Sequence, residues 1–271
     1  MTSLRYLKSA LAQLFNFFLL SLPLAVLGCG GGSPANAPMA GPLLRGSVHG
    51  GQQPVSGATI KLYAAGVNGY FTGATSLLTS SVTTDSNGAF TITGQYTCPT
   101  ASSQLYIVAT GGNPGLAAST NNASLALMAA LGPCSLRGLQ YTLDPNLFIN
   151  IDEVTTVAAA YALAGFIAPS TGQIGASATN SIGITNAFQT ASNLVDVTPG
   201  QARTSTPAGN GTVPQAKINT LADILSPCVN SPGNGSDCAA LFAAATPSGG
   251  AAPVNTLQAV VNIARYPAQQ V

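Results

Sequence analysis

The hydrophobic period of the sequence changes once along the chain, and this change limits the possible folds more than any other feature. Between residues 44 and 112, short segments alternate apolar and polar residues, as in TIKLYA at 59–64 and FTIT at 90–93. A period of two is typical of strands with one buried face. From about residue 146, apolar residues recur every three or four positions, as in amphipathic helices. The pattern predicts an α+β protein, with a β-sandwich over 44–112 and a helical domain over 146–271.

A tight turn is predicted at Asp85-Ser86-Asn87-Gly88, which lies between two of the strand-like segments. Asn and Gly tolerate the positive φ that a short hairpin needs. The same residues also match the beginning of a calcium loop, but the acidic ligands that an EF-hand places later in the loop are missing. We therefore predict a turn, and no metal site.

Three motifs in this first half resemble the carboxypeptidase regulatory-like family. They are G-x-V from Gly46, PVSGA-x-I-x-L from Pro54 to Leu62, and TD-x-NG-x-F from Thr84 to Phe90. The resemblance covers residues 44–112. It implies an Ig-like sandwich of the transthyretin (prealbumin) type that acts as a non-catalytic module.

The second half predicts a small, alanine-rich helical bundle. Asn150 and Glu153 have the spacing of a capping box before the first helix, and Asp152 adds a charge that favours a helix N-terminus. Further helices are predicted over 182–196, from Pro214 to 226, after a cap at Asp237, and over 254–266. The junction segment, 113–145, has no clear period, and whether it holds a last sandwich strand stays open. The helical half resembles a region of secreted acidobacterial proteins of unknown function, which implies only that the two domains occur together.

The N-terminus predicts export from the cytoplasm. Arg5 and Lys8 precede an apolar segment that ends in small residues, which is the layout of a signal peptide over 1–28. An uncleaved anchor helix is the alternative, but Gln13, Asn16 and Pro23 interrupt a barely sufficient apolar stretch.

Residues 26–29, Val-Leu-Gly-Cys, resemble the lipobox of bacterial lipoproteins. The resemblance implies that the mature chain begins at Cys29 and that its thiol carries a diacylglycerol, which anchors the protein to a membrane. Gly30 stands where an Asp would signal retention in the inner membrane, so the expected location is the outer membrane. Residues 29–43 are rich in Gly, Ala and Pro and predict a flexible tether.

Four cysteines remain after Cys29, an even number in a chain predicted to enter an oxidising compartment. Cys228 and Cys238 bracket a turn-rich loop that closes easily, which leaves Cys98 to pair with Cys134. Zinc binding is the competing use of cysteine, but the sequence has no C-x-x-C spacing.

Charge and motifs argue against most enzyme and nucleic-acid functions. Only 6% of the residues are charged and the net charge is +1, so no basic surface for nucleic acid is expected. His49 is the single histidine, and Asp152-Glu153 is the single adjacent carboxylate pair, whose side chains point in different directions on a helix. We predict no catalytic, cofactor or metal site and a binding or structural module of the cell envelope, whose partner is another envelope protein or a glycan. An envelope hydrolase that uses His49 is the alternative.

Overall fold

The computed structural model describes residues 43–93, 96–137 and 140–267. These residues form thirteen β-strands and five α-helices, so the predicted α+β class is confirmed. The predicted signal peptide and Cys29 lie outside the described residues. Within the described ranges, no helix combines the length and the apolar character that a membrane span requires.

The described chain begins with eleven strands and continues with helices, and β12 and β13 lie between the second and third helices. The strands are β1 (Leu44–Gly50), β2 (Gln53–Pro54), β3 (Thr59–Ala64), β4 (Thr75–Ser76), β5 (Val82–Thr83), β6 (Ala89–Ile92), β7 (Gln104–Thr110), β8 (Ala126–Pro133), β9 (Ser135–Arg137), β10 (Gln140–Thr142), β11 (Phe148–Ile151), β12 (Val195–Asp196) and β13 (Gln201–Ala202). The helices are α1 (Glu153–Leu163), α2 (Ser181–Leu194), α3 (Gln215–Val229), α4 (Ser236–Ala244) and α5 (Thr256–Arg265).

Strand β1 is the centre of a four-stranded sheet. It pairs antiparallel with β2 and β6 and parallel with β11, with Ser47 opposite Asn150 and Val48 opposite Ile151. Gly46 is required at the centre of this sheet, because a Cβ there would overlap the carbonyl oxygen of Ile149 and the ring of Phe90. The sheet therefore joins the first described strand to the segment that leads into the first helix.

A five-stranded sheet has the order β4-β3-β7-β8, with β5 also paired to β3. The pairs of β7 with β3 and with β8 are antiparallel. Strand β8 lies inside the predicted junction segment, so that segment does contain a strand.

The outer edge of β8 is closed by two threonines from helices. The hydroxyl of Thr156 in α1 accepts the backbone N–H of Met128 at 2.9 Å, and the hydroxyl of Thr256 in α5 accepts that of Ala126 at 2.9 Å. The Thr256 hydroxyl also donates to the carbonyl of Ala126 at 2.7 Å, whereas the Thr156 hydroxyl donates to the carbonyl of Asp152. Helix side chains thus satisfy backbone groups that an edge strand would otherwise leave unpaired.

One hydrophobic core includes residues from both halves of the sequence. Leu44 and Leu62 of the strands belong to the same cluster as Val157 and Leu163 of α1. Ala159 and Ala160 of α1 are fully buried, and their small side chains allow α1 to pack closely. The predicted sandwich and helical segments therefore share their buried surface.

The predicted helical segments each contain a helix, but two starts differ. Pro214 is the residue before α3 rather than its first residue. Asp237 lies inside the first turn of α4, and the cap is Gly235, because the helix already begins at Ser236. In that first turn the carboxylate of Asp237 still faces the positive end of the helix dipole.

Both predicted cysteine pairs are present. Cys98 and Cys134 are bonded, with Cα atoms 6.4 Å apart, and they link the segment before β7 to the end of β8. Cys228, in the last turn of α3, is bonded to Cys238, in the first turn of α4, with Cα atoms 4.4 Å apart. The second bond closes the connection between two consecutive helices.

Candidate functional site

The end of β1 and the start of α1 lie together because β1 and β11 run parallel. Helix α1 begins two residues after β11, so its first turn lies next to the turn that follows β1. The backbone N–H of Gly51 donates to both carboxylate oxygens of Glu153, at 3.0 Å each. This contact joins two residues that are 102 positions apart in the sequence.

The cap of α1 is Asp152, and the predicted capping box of Asn150 with Glu153 is wrong. The Asp152 carboxylate accepts the N–H of Thr155 at 2.8 Å, while the Thr155 hydroxyl accepts the N–H of Asp152 at 3.0 Å. Asn150 cannot cap the helix because it is part of β11 and pairs with β1. Its side chain instead binds Ser47 and the carbonyl oxygen of Thr198.

Burial dominates the titration of the two acidic residues. Burial raises the pKa of Glu153 to about 7, although the N–H of Gly51 acts in the opposite direction; the charges of Asp152 and Asp223 raise it further. Burial also raises the pKa of Asp152 to about 6, against the hydrogen bonds from Thr155. Glu153 is only 4% exposed. Both carboxyls therefore hold their protons at a higher pH than ordinary surface acids.

His49 lies on β1, next to a serine. Its Nδ1 is 3.3 Å from the Oγ of Ser47, and Ser47 donates its hydroxyl proton to Oδ1 of Asn150 at 2.5 Å. A hydroxyl has one proton to donate, so in this arrangement Nδ1 carries its own proton and donates to Ser47. Burial lowers the pKa of His49, and Ser47 is 6% exposed. The pair does not have the geometry of a base that activates a nucleophile.

A cleft opens beside the first turn of α1, and we name it the amide cleft. Its volume is about 420 Å³, and its lining includes Gly200, Gln201, Gln215, Asn219, Ala222 and Asp223. Gln215 donates its side-chain N–H to the carbonyl of Ala202 at 2.6 Å. Within the described part of the chain, the side-chain amides of Gln201 and Asn219 have no hydrogen-bond partner and are exposed. These amides can each offer a donor and an acceptor to a ligand.

The hairpin of β12 and β13 forms one wall of the amide cleft. Its turn contains Gly200, which has a φ of 66°. A Cβ at Gly200 would overlap the carboxylate of Asp152, so the position requires glycine both for its conformation and for this close approach. The helix predicted over 182–196 is wrong at its end, because Val195–Asp196 form β12 of this hairpin, and β13 was not predicted. The Pro199-Gly200 dipeptide is the sequence signal that could have indicated its turn.

The acidic pair does not form a catalytic dyad. Asp152 faces Thr155 and the Gly200 turn, whereas Glu153 faces Gly51 on the β1 side. Glycosidase chemistry needs two carboxyls that flank one bond. Here each carboxyl binds a separate backbone group, and the amide cleft offers hydrogen-bonding groups rather than a reactive pair.

The turn at Asp85 has the structure that its sequence predicts. The Asp85 carboxylate accepts the N–H of Asn87 at 2.8 Å and that of Ala89 at 2.9 Å, and Gly88 has a φ of 72°. Among the residues that the structure describes, no three His, Cys, Asp or Glu side chains come together in a group that could hold a metal ion.

Comparison of the chain with protein-family models, with curated proteins and with solved structures finds no match.

Proposed function

We propose that this chain is an exported, lipid-anchored, non-catalytic binding module, and that the amide cleft binds a neutral polar ligand. The observation that carries this proposal is the presence of two free side-chain amides in an open cleft whose walls are helices and a hairpin. Sites on such elements hold their polar groups in fixed positions. A hydroxyl-rich ligand such as an envelope glycan can both donate hydrogen bonds to these amides and accept hydrogen bonds from them. It therefore fits the cleft better than a charged ligand does.

The charge and the position of Asp223 also favour a neutral ligand. Among the described residues, Asp223 is the one ionisable side chain in the lining of the cleft, and its carboxylate can accept hydrogen bonds from sugar hydroxyls. An anionic ligand would be repelled by Asp223. The chain as a whole carries a net charge of only +1, so long-range attraction contributes little.

Binding is tested on glycan arrays with the purified protein and with Asn219→Ala. The matched control is Asn186→Ala, which removes an exposed helical amide from α2, outside the cleft. We expect the cleft variant to lose about 5- to 30-fold in affinity, since one or two hydrogen bonds of about 1 kcal/mol each are removed. Equal affinity for both variants, or no glycan bound at all, would contradict the assignment of the cleft.

The compartment is supported by the two disulfides, which persist in oxidising environments. The anchor is tested by labelling cells with palmitate. We expect Cys29→Ser to remove the label and to release or mis-sort the protein, whereas Gly30→Asp keeps the label and changes the membrane. A Cys29→Ser protein that still takes up palmitate would refute the anchor.

The sandwich of the carboxypeptidase regulatory-like type remains our proposal for residues 44–112. Its support is that the three motifs fall on elements of the two larger sheets. The first lies on β1, the second extends from β2 to β3, and the third covers the turn before β6 and the start of β6. Such a module usually positions neighbouring domains rather than performing chemistry, which is consistent with a binding function.

An envelope hydrolase is the second candidate, and the raised pKa of Glu153 is the observation that favours it. A value of about 7 suits a general acid or base at neutral pH. Against this, both oxygens of Glu153 accept the N–H of Gly51, and the side chain is buried. A screen of hydrolase substrates decides between the candidates. If the protein shows activity, and if His49→Ala or Glu153→Gln abolishes that activity without unfolding the protein, the hydrolase replaces the binding module as our proposal.

A further inference from the structure

A second cavity lies between three helices, on a different face of α3 from the amide cleft. Its volume is about 200 Å³, and we name it the helix pocket. It is lined by Val157, Ala158 and Tyr161 of α1, Leu194 of α2, and Ile218 and Leu221 of α3. The half-buried Tyr161, Leu194 and Leu221 supply its accessible apolar surface, and the fully buried Val157 and Ala158 lie behind them.

A lysine side chain, that of Lys217, lies at the opening of the helix pocket. Lys217 lines the rim and is exposed, and within the described ranges its ammonium group has no ion pair and no hydrogen bond. The residues three and four positions away in the sequence are Val213, Pro214, Thr220 and Leu221, none of which is acidic. The positive charge is therefore available to a ligand.

Three other cations of the described chain are already engaged. Arg137 and Arg203 form ion pairs with Asp144 and Asp196, and Arg265 lies over the ring of Phe71. Lys217 differs from these because it sits beside a concave apolar surface. An apolar pocket with a single free charge at its opening selects an amphiphile of the opposite charge.

From the helix pocket and Lys217 together, we infer a second binding site, whose ligand is a small apolar carboxylate. Its chain or ring lies against Leu194 and Leu221, and its carboxylate lies at Lys217. The volume limits the size of this ligand. Since each water molecule occupies about 30 Å³ in the liquid, the pocket has room for about seven waters. A short hydrocarbon chain or one ring fits, and the distal part of a long acyl chain does not.

The Tyr161 hydroxyl gives the site a second polar group. Among the described residues it has no hydrogen-bond partner, and it lies in the lining together with Lys217. Burial raises the pKa of Tyr161, so the hydroxyl stays protonated and can donate to a bound carboxylate. The head group thus has two donors and the rest of the pocket is apolar.

The test is calorimetric titration of the purified full-length protein with butyrate, hexanoate, octanoate and decanoate. We expect the affinity to rise about fourfold for each added methylene while the chain still enters the pocket, and then to level off. Leu221→Ala enlarges the pocket, so the plateau should move to a longer chain. Binding that is undetectable for all four acids, or a plateau that Leu221→Ala leaves in place, would overturn the inference.

The role of Lys217 is tested separately with hexanoate, hexanol and hexylamine. The wild type should prefer the acid to the alcohol by about two- to fivefold, as expected for an exposed charge pair, and should bind the amine most weakly. Lys217→Gln should abolish the preference for the acid, whereas Lys61→Gln, which removes an exposed cation from β3, should preserve it. A preference that survives Lys217→Gln would refute the head-group assignment. Asn219→Ala should leave these affinities unchanged, which separates this site from the amide cleft.

Discussion

The buried carboxyl of Glu153 should make the protein less stable as the pH rises from 4.5 to 7. Burial raises its pKa from 4.5 to about 7, so in this window the folded protein keeps a proton that the unfolded chain releases. Because the folded state binds more protons, the free energy of unfolding decreases with increasing pH. The stabilising contribution of the protonated Glu153 is fully present below its pKa in the unfolded chain, which is 4.5. It is lost as the pH rises through its pKa in the folded protein, which is about 7. At about 1.4 kcal/mol per pKa unit, the loss is on the order of 3 kcal/mol. Asp152 acts in the same direction between 3.8 and about 6.

The variant Glu153→Gln tests this expectation, since a glutamine is neutral at every pH and keeps an oxygen that can accept the N–H of Gly51. Urea unfolding at pH 4.5, 6 and 8 should show that the wild type loses up to about 3 kcal/mol more than the variant. Asp237→Asn is the control, because it removes an exposed carboxylate from the first turn of α4. Its curve should run parallel to that of the wild type. If the Glu153→Gln curve also runs parallel, the buried carboxyl does not control the pH dependence.

Two further perturbations test the packing of the fold. Thr156→Val keeps the shape of the side chain but leaves the backbone N–H of Met128 in β8 without its partner. The free energy of unfolding, measured by urea denaturation, should therefore fall by about 1–3 kcal/mol. An unchanged value would mean that this hydrogen bond does not stabilise the edge of β8. Replacing Cys98 and Cys134 by serine should cost about 4 kcal/mol, and replacing Cys228 and Cys238 about 3 kcal/mol, since the first bond closes the longer loop. The reverse order, measured in the same assay, would contradict the loop-entropy explanation.

Local patterns were sufficient to predict the elements but not their long-range partners. The alternation in TIKLYA predicted β3, and the spacing of apolar residues predicted helices where α1 to α3 and α5 occur. The capping box predicted at Asn150 has the correct local spacing. The prediction is wrong because Asn150 belongs to the extended strand β11, which pairs with β1. Ser47, whose hydroxyl binds Asn150, is 103 residues away, and nothing in the local pattern indicates that partner.

The candidate sites were less predictable than the fold for the same reason. The amide cleft combines a hairpin at Gln201 with Asn219 of α3, and exposed amides have no sequence signature that separates ligand contacts from ordinary surface residues. The bond between Gly51 and Glu153 likewise depends on the parallel pairing of two distant strands. The cysteines were predictable because parity and loop length restrict their pairing without any knowledge of the fold.

The parallel pairing of β1 with β11 also has a consequence for the order of events during synthesis. Ser47 emerges from the ribosome 103 residues before Asn150, which lies opposite it in the sheet. At roughly 5–20 residues per second, β1 waits about 5–20 s with one of its long edges unpaired. During this delay the nascent chain presents an open strand edge to any other chain nearby. Holding the chain unfolded until Ile151 has been made, as a chaperone does for a protein in transit, should therefore increase the yield of native protein.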